Sequence, residues 1–119
     1  MSNPTYRLSF FFDYNSRGCL WCDNEASYQK YDVGVLDSEI YDLNGNIVQD
    51  AKIKLPSFIR QRVLELDKLY SESLNWIDPG GQSLWDKVQW ERFYEQTRDL
   101  HKEISLALGD DFEIVYKQF

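Results

Sequence analysis

The residues with the chemistry to act are few. Cys19-Leu20-Trp21-Cys22 has the spacing of a paired thiol motif. A redox-active pair needs its first sulfur at a helix N-terminus, where the dipole lowers the thiol pKa. Here the pair lies in strand-like sequence, which directs the two side chains to opposite faces. A structural zinc site needs four ligands, and the chain adds only one histidine, His101, far along the sequence. Cys19 and Cys22 are therefore read as structural thiols, unbridged in a reducing compartment. Asp42-Leu43-Asn44-Gly45-Asn46-Ile47 echoes the middle of a calcium-binding loop, but aligning Gly45 with that loop's invariant glycine puts Ile40 and Ala51 where carboxylates are required. A hairpin turn is the better reading. His101 sits among Asp99, Lys102 and Glu103 with no positioned partner, and is expected to be a solvated helix histidine. No spacing promotes any two carboxylates to an acid–base pair. The sequence thus points to no catalytic residue, no metal site and no cofactor.

What remains is charge and aromaticity. Twenty acidic residues stand against 13 basic ones, a formal net charge of −7. Such a surface repels phosphate backbones, because nucleic-acid affinity is built from Lys and Arg displacing counterions; direct nucleic-acid binding is not expected. A basic protein partner is the natural complement. The imbalance is sharpest between Asp13 and Asp50, where Asp13, Asp23, Glu25, Asp32, Asp37, Glu39, Asp42 and Asp50 face only Arg17 and Lys30. Tyr14, Trp21, Tyr28, Tyr31 and Tyr41 are interleaved with them. Carboxylates beside rings suit docking against Lys and Arg, by charge and by cation–π contact. The candidate partner-binding residues are Asp13, Tyr14, Trp21, Asp23, Asp32, Asp37, Glu39 and Asp42; the plainer reading is a solvated, acid-rich loop region. Aromatic residues make up 16% of the chain, more than a core of this size needs, so some rings are expected at the surface.

The elements that must carry these residues follow from periodicity. Tyr6, Leu8, Phe10 and Phe12 share one face of a strand. Asn15-Ser16-Arg17-Gly18 is turn chemistry, and Cys19 to Cys22 reads as a second strand. The polar stretch Asp23 to Asp32 carries no pattern that defines an element. Asn44-Gly45 predicts a type I′ hairpin between arms Val33 to Leu43 and Asn46 to Leu55, with Ile40, Ile47, Val48 and Ile53 as core candidates. Pro56-Ser57 opens a helix whose stripe is Ile59, Val63, Leu66, Tyr70 and Leu74, ended by Asp78-Pro79-Gly80-Gly81. A second helix starts with the capping box Asp86/Gln89 and the staple Trp85/Trp90. Its stripe is Trp90, Phe93, Thr97, Leu100, Ile104 and Leu108, and Gly109 supplies its cap. Phe112, Ile114 and Tyr116 alternate in a closing strand.

These readings assemble into one α+β domain, residues 1–119: an antiparallel sheet of about five strands with two helices packed on one face, in the order β-β-β-β-α-α-β. No apolar run approaches the ~20 residues of a membrane span. The segment from Met1 to Arg7 lacks the basic and apolar regions of a signal peptide, so a cytoplasmic location away from the membrane is expected.

Leu8-Ser9-Phe10-Phe11-Phe12-Asp13-Tyr14, followed by Gly18-Cys19-Leu20-Trp21 and Asp23-Asn24, resembles the opening of small immunity proteins of bacterial polymorphic toxins. Contact-dependent growth inhibition systems are their best-known source. Leu55-Pro56-Ser57, Leu66-Asp67-Lys68-Leu69-Tyr70, Ser73-Leu74-Asn75-Trp76-Ile77-Asp78-Pro79, Trp85, Phe93, Leu108-Gly109 and Phe112 to Tyr116 extend the likeness along the chain. The resemblance implies a non-enzymatic protein that binds and neutralises a cognate toxin domain in the cytoplasm, commonly a nuclease, whose basic surface an acidic inhibitor would cover. It implies no shared active site. Two other readings of the sequence remain open: a small thiol-dependent or hydrolytic enzyme using Cys19 and Cys22, and an adaptor subunit of a cytosolic complex.

Overall fold

The computed structural model describes residues 4–74, 77–78, 81 and 83–118. The alternating run near the N-terminus forms β1 (Tyr6–Phe10), which pairs antiparallel with β2 (Leu20–Cys22), Leu8 facing Cys22 and Phe10 facing Leu20. The expected face is the buried one: Leu8, Phe10 and Phe12 are inaccessible. The polar stretch without a pattern is a helix, α1 (Glu25–Tyr31). Asn24 caps it, accepting from the Ser27 backbone N–H at 3.0 Å while the Ser27 hydroxyl lies 3.2 Å from the Asn24 N–H. At seven residues it is too short to show an apolar stripe, and its box uses Ser where Glu or Gln is the usual signal.

Two long helices follow the expected stripes. In α2 (Ser57–Glu72), Ile59, Val63 and Leu66 are buried; in α3 (Lys87–Leu108), Phe93, Thr97, Leu100 and Ile104 are. The Asp86/Gln89 box is formed, and the Trp85 and Trp90 rings meet at 4.8 Å. Helix α2 ends at Glu72, before the expected stop; Pro79 and Gly80 of that stop, with Met1, Asn75 and Trp76, lie outside the described residues. Many of the rings pack inward: Phe93 stacks on Tyr70 at 5.5 Å and meets Trp85 at 5.3 Å, and Tyr94 stacks on Trp90 at 5.7 Å.

The sheet departs from the expected one. The described residues hold two small sheets, ordered β2-β1-β5 and β3-β4, and three helices, in the chain order β-β-α-β-β-α-α-β. The last strand, β5 (Phe112–Tyr116), runs parallel to β1, Leu8 facing Ile114. A parallel neighbour needs a long crossover, and the whole chain from β2 through α3 supplies it. The middle strands, β3 (Ile40–Tyr41) and β4 (Ile47–Gln49), pair only with each other. Below them the chain remains tied to the sheet: Val35 bridges Trp21, Leu36 N–H donates to Leu20 O at 2.8 Å, and Ile53 N–H donates to Leu36 O at 2.9 Å. Leu36 and Ile53 are buried, so a core-anchored stem carries an arm that leaves the core.

Candidate functional site

The acid-rich segment is organised by one buried carboxylate. Asp37 is 0% exposed, so it is no part of the surface on which the sequence reading placed it. Its Oδ1 accepts the backbone N–H groups of Cys19 (2.9 Å) and Leu20 (3.0 Å), and Arg60 Nη1 lies 3.8 Å from Oδ2. Burial pushes the Asp37 carboxyl above its usual range, against the pull of those N–H groups and of Arg60. The same guanidinium reaches Glu39 at 3.1 Å and donates to the Arg17 carbonyl at 2.7 Å. Partial burial opposes the charge on Glu39, but its own backbone N–H and Arg60 outweigh that and hold the carboxyl low. Asp37 and Glu39 are thus brought together by Arg60. The other six candidates are not gathered into this cluster.

Asp13 and Tyr14 lie on the loop after β1, with Asp13 Oδ1 accepting the Tyr14 N–H at 2.8 Å and the Tyr14 ring stacked on Tyr70 at 4.7 Å. Trp21 is half-buried, flat against Phe11 at 4.9 Å, with Nε1 donating to the Phe11 carbonyl. Asp23 is held between Arg7 (3.4 Å) and Lys117 (3.1 Å), so its charge is largely answered within the molecule. Asp32 closes α1 at φ 66° and accepts the Val33 N–H. Asp42 builds the turn of the β3–β4 arm: its Oδ1 accepts from Asn44 N–H at 2.9 Å and from Asn46 N–H at 3.0 Å. The Asn46 N–H, against slight desolvation and together with that of Asn44, holds the Asp42 carboxyl below its usual range. Among the described residues no ion pair reaches Asp13, Asp32 or Asp42.

The arm itself differs from the expected hairpin. Gly45 adopts φ 83° while Asn44 keeps a negative φ, and the Gly45 N–H donates to the Asp42 carbonyl at 3.1 Å. This is a three-residue connection, a type I turn followed by a left-handed glycine, rather than a type I′ turn, which needs positive φ at both centres. Asp at the first turn position, bonding forward, favours it. The pairing then slips: Tyr41 faces Ile47 but Ile40 faces Gln49, leaving Val48 as the extra residue of a bulge. Ile40, Leu43, Ile47 and Val48 are 51%, 106%, 54% and 61% exposed. Three of these the sequence reading placed in the core. Period-two apolarity cannot tell a strand that covers a core from one that leaves it; the turn chemistry at Asp42–Asn46 was the available sign that this apolar run ends in solvent.

Grooves lie at the root of the arm. One of about 430 Å³ is lined by Asp37, Glu39, Ile53, Leu55, Arg60 and Leu64 among others; another of about 320 Å³ is lined by Val33, Val35, Ile40, Gln49 and Lys52 among others. A third, of about 580 Å³, lies between the Asn15–Arg17 loop and α2, with the nearly buried Asp67 3.2 Å from the Ser16 hydroxyl.

The residues with catalytic chemistry are engaged structurally. Both thiols are free and buried. Burial foremost, and then the Asp37 charge, pushes the Cys19 thiol well up; burial also raises Cys22, whose Sγ lies 3.1 Å from the Asp32 carbonyl. A thiol held protonated is a poor nucleophile. His101 is not a solvated histidine: its Nε2 meets the Ile114 carbonyl at 2.5 Å and its ring packs against Phe10 and Tyr116. A carbonyl oxygen only accepts, so Nε2 carries the proton. Among the described residues no helix is long and apolar enough to cross a membrane.

The sequence model of a family described as Serratia CdiI immunity protein-like matches residues 7–118 of this chain. No curated protein matches it.

Proposed function

Since the chain belongs to the Serratia CdiI immunity protein-like family and is therefore an immunity protein of contact-dependent growth inhibition, we propose that it neutralises a basic toxin domain, a nuclease, by covering cationic groups in the cytoplasm with its acid-rich face. One observation carries the reading. From Tyr31 to Ala51 the chain has no Lys or Arg, and it carries Asp32, Asp37, Glu39, Asp42 and Asp50. Asp37 is consumed internally; Asp32 and Asp42, with Asp13 nearby in sequence to the same half, present carboxylates without an ion-pair partner among the described residues. A nuclease grips phosphate through Lys and Arg, and carboxylates are the side chains that compete for them. Complementary fields of this kind speed encounter and make it salt-sensitive.

The test is association of the purified chain with its cognate toxin domain, by stopped-flow over a range of salt. The combined D13N/D32N/D42N variant is expected to slow association by about threefold or more at low salt and to flatten the salt dependence. Each Asn keeps a side-chain carbonyl for the backbone N–H groups that Asp13, Asp32 and Asp42 accept, and Asn tolerates the positive φ of residue 32, so the fold and the hairpin turn are kept, which thermal melting checks. Unchanged rates in a folded variant would remove the acidic face from the reading while leaving the family assignment in place.

A further inference from the structure

We infer that the β3–β4 hairpin is the anchor with which this protein grips its toxin, its apolar crest of Leu43, Ile47 and Val48 entering a pocket rimmed by Lys and Arg on the toxin domain; the inference rests on the neutralising function proposed above. The hairpin is the one element pair described in which every strand residue is exposed. It buries nothing in the core, so core stability does not account for five large side chains, Ile40, Tyr41, Leu43, Ile47 and Val48, standing in water. An isolated two-stranded hairpin is marginal, and this one is nevertheless held in shape. Asp42 fastens the turn through two backbone N–H groups, and Gly45 supplies the positive φ. The Arg17 guanidinium lies 5.2 Å from the Tyr41 ring centre, and Arg60 holds Glu39 at the root. A braced, protruding element loses little freedom when it binds, which is how preorganised contacts gain affinity.

The pattern on the hairpin is that of an interface centre: apolar side chains in the middle, charged groups around them. Asp42 stands in the turn beside the crest with no ion pair among the described residues, while Glu39 and Asp50 lie toward the root, paired with Arg60 and Lys54. The cations described as reaching the arm are Arg17 on Tyr41, Arg60 on Glu39 and Lys54 on Asp50 at 3.7 Å, none of them on the crest. Grooves of about 430 Å³ and 320 Å³ at the root of the arm, one lined by Glu39 and the other by Ile40 and Gln49, leave room for partner side chains beside it. The net charge of −7 selects the occupant. A second copy of this chain would bring the same excess of negative charge, which is unfavourable, whereas a basic domain meets it with opposite charge.

The experiment is a titration, followed by calorimetry and by dissociation kinetics, of the full chain and its L43S/I47T/V48T variant with the purified cognate toxin domain. Thr keeps a β-branched residue at the two strand positions and Ser suits the turn at residue 43, so circular dichroism and the melting temperature should not move. Kd is expected to rise at least about 30-fold, mostly through faster dissociation, as when central interface anchors are truncated. Leu106→Ser, at an 84% exposed position on α3, should leave Kd unchanged. A folded triple variant whose Kd stays within about threefold of the parent overturns the proposal, while the parent's own binding keeps the neutralising function standing. Loss of self-association in the triple variant, with toxin affinity unchanged, also overturns it by assigning the crest to a second copy. A parent chain that does not bind the toxin domain removes both readings at once.

Discussion

Leu8 and Phe10 in β1 and Ile47 and Val48 in β4 are residues of the same kind in elements of the same kind, yet the first pair is wholly inaccessible and the second more than half exposed. The difference lies in what stands over each sheet. Strands β2, β1 and β5 receive α3 across β5 and α1 at the β1–β2 end, so each inward side chain meets a packed neighbour. Strands β3 and β4 touch chiefly each other. Apolar character in a strand therefore marks a surface that must be covered, but not whether this chain or another one covers it. In a protein whose family works by binding, the uncovered sheet is the informative one.

The largest expected effect separates the two sheets by stability. Phe10→Ala should cost about 3–5 kcal/mol, the usual range for emptying a buried aromatic site, because its ring packs on Phe12, Tyr116 and His101 at once. Val48→Ala should move stability by no more than about 0.5 kcal/mol, as for ordinary surface changes. Urea unfolding of both variants measures the contrast. Comparable losses would mean that the hairpin is packed as the core sheet is, and the distinction would fail.

A smaller effect sharpens the boundary between the regions, at the stem. A Cβ on Gly18 would stand 2.5 Å from Asp37 Oδ1 and 2.6 Å from the Val35 side chain. Asp37 has little room to yield, since it is buried and tied to Cys19 N–H, Leu20 N–H and Arg60. Gly18→Ala should therefore cost about 1–3 kcal/mol, the scale of overpacking a core. It should also shift the amide resonances of Val35 to Glu39, which lead into the hairpin. A neutral Gly18→Ala would show that Asp37 is not the rigid root described.

How much of this was legible depends on whether the determinants were local. The helices were, because stripe and cap lie within one segment: Ile59, Val63 and Leu66, or Asp86 with Gln89, announce themselves. Helix α1 was not, because its box has Ser27 where Glu or Gln is the usual signal, over a helix too short for periodicity. The parallel β1–β5 pairing joins residues more than a hundred positions apart, and no local pattern encodes direction. Of the candidate site, the acid-rich span was visible as composition. That Asp37 turns inward depends on Arg60, on another element, and on the close approach at Gly18. The exposure of Ile40, Ile47 and Val48 depends on what is absent from above them, and sequence alone carries no record of that.

The smallest effect tests whether the hairpin is independent of the core. Asp42 is held below the ordinary carboxylate range, chiefly by the Asn46 N–H. A group whose folded pKa is depressed contributes fully above its unfolded value, and that contribution is lost as pH falls through the folded one. Acidification should therefore loosen the turn first. The amide resonances of Asn44 and Asn46 should titrate together, with a midpoint below that of an ordinary aspartate, while those of Ser9 and Val115 in the core sheet do not follow that midpoint. In Asp42→Asn the shared titration should vanish, because the side-chain carbonyl accepts the same N–H groups without a titrating proton. Should the Ser9 and Val115 amides move with the same midpoint as Asn46, the hairpin and the core would be one cooperative unit. The arm would then be part of the scaffold rather than an element held out from it.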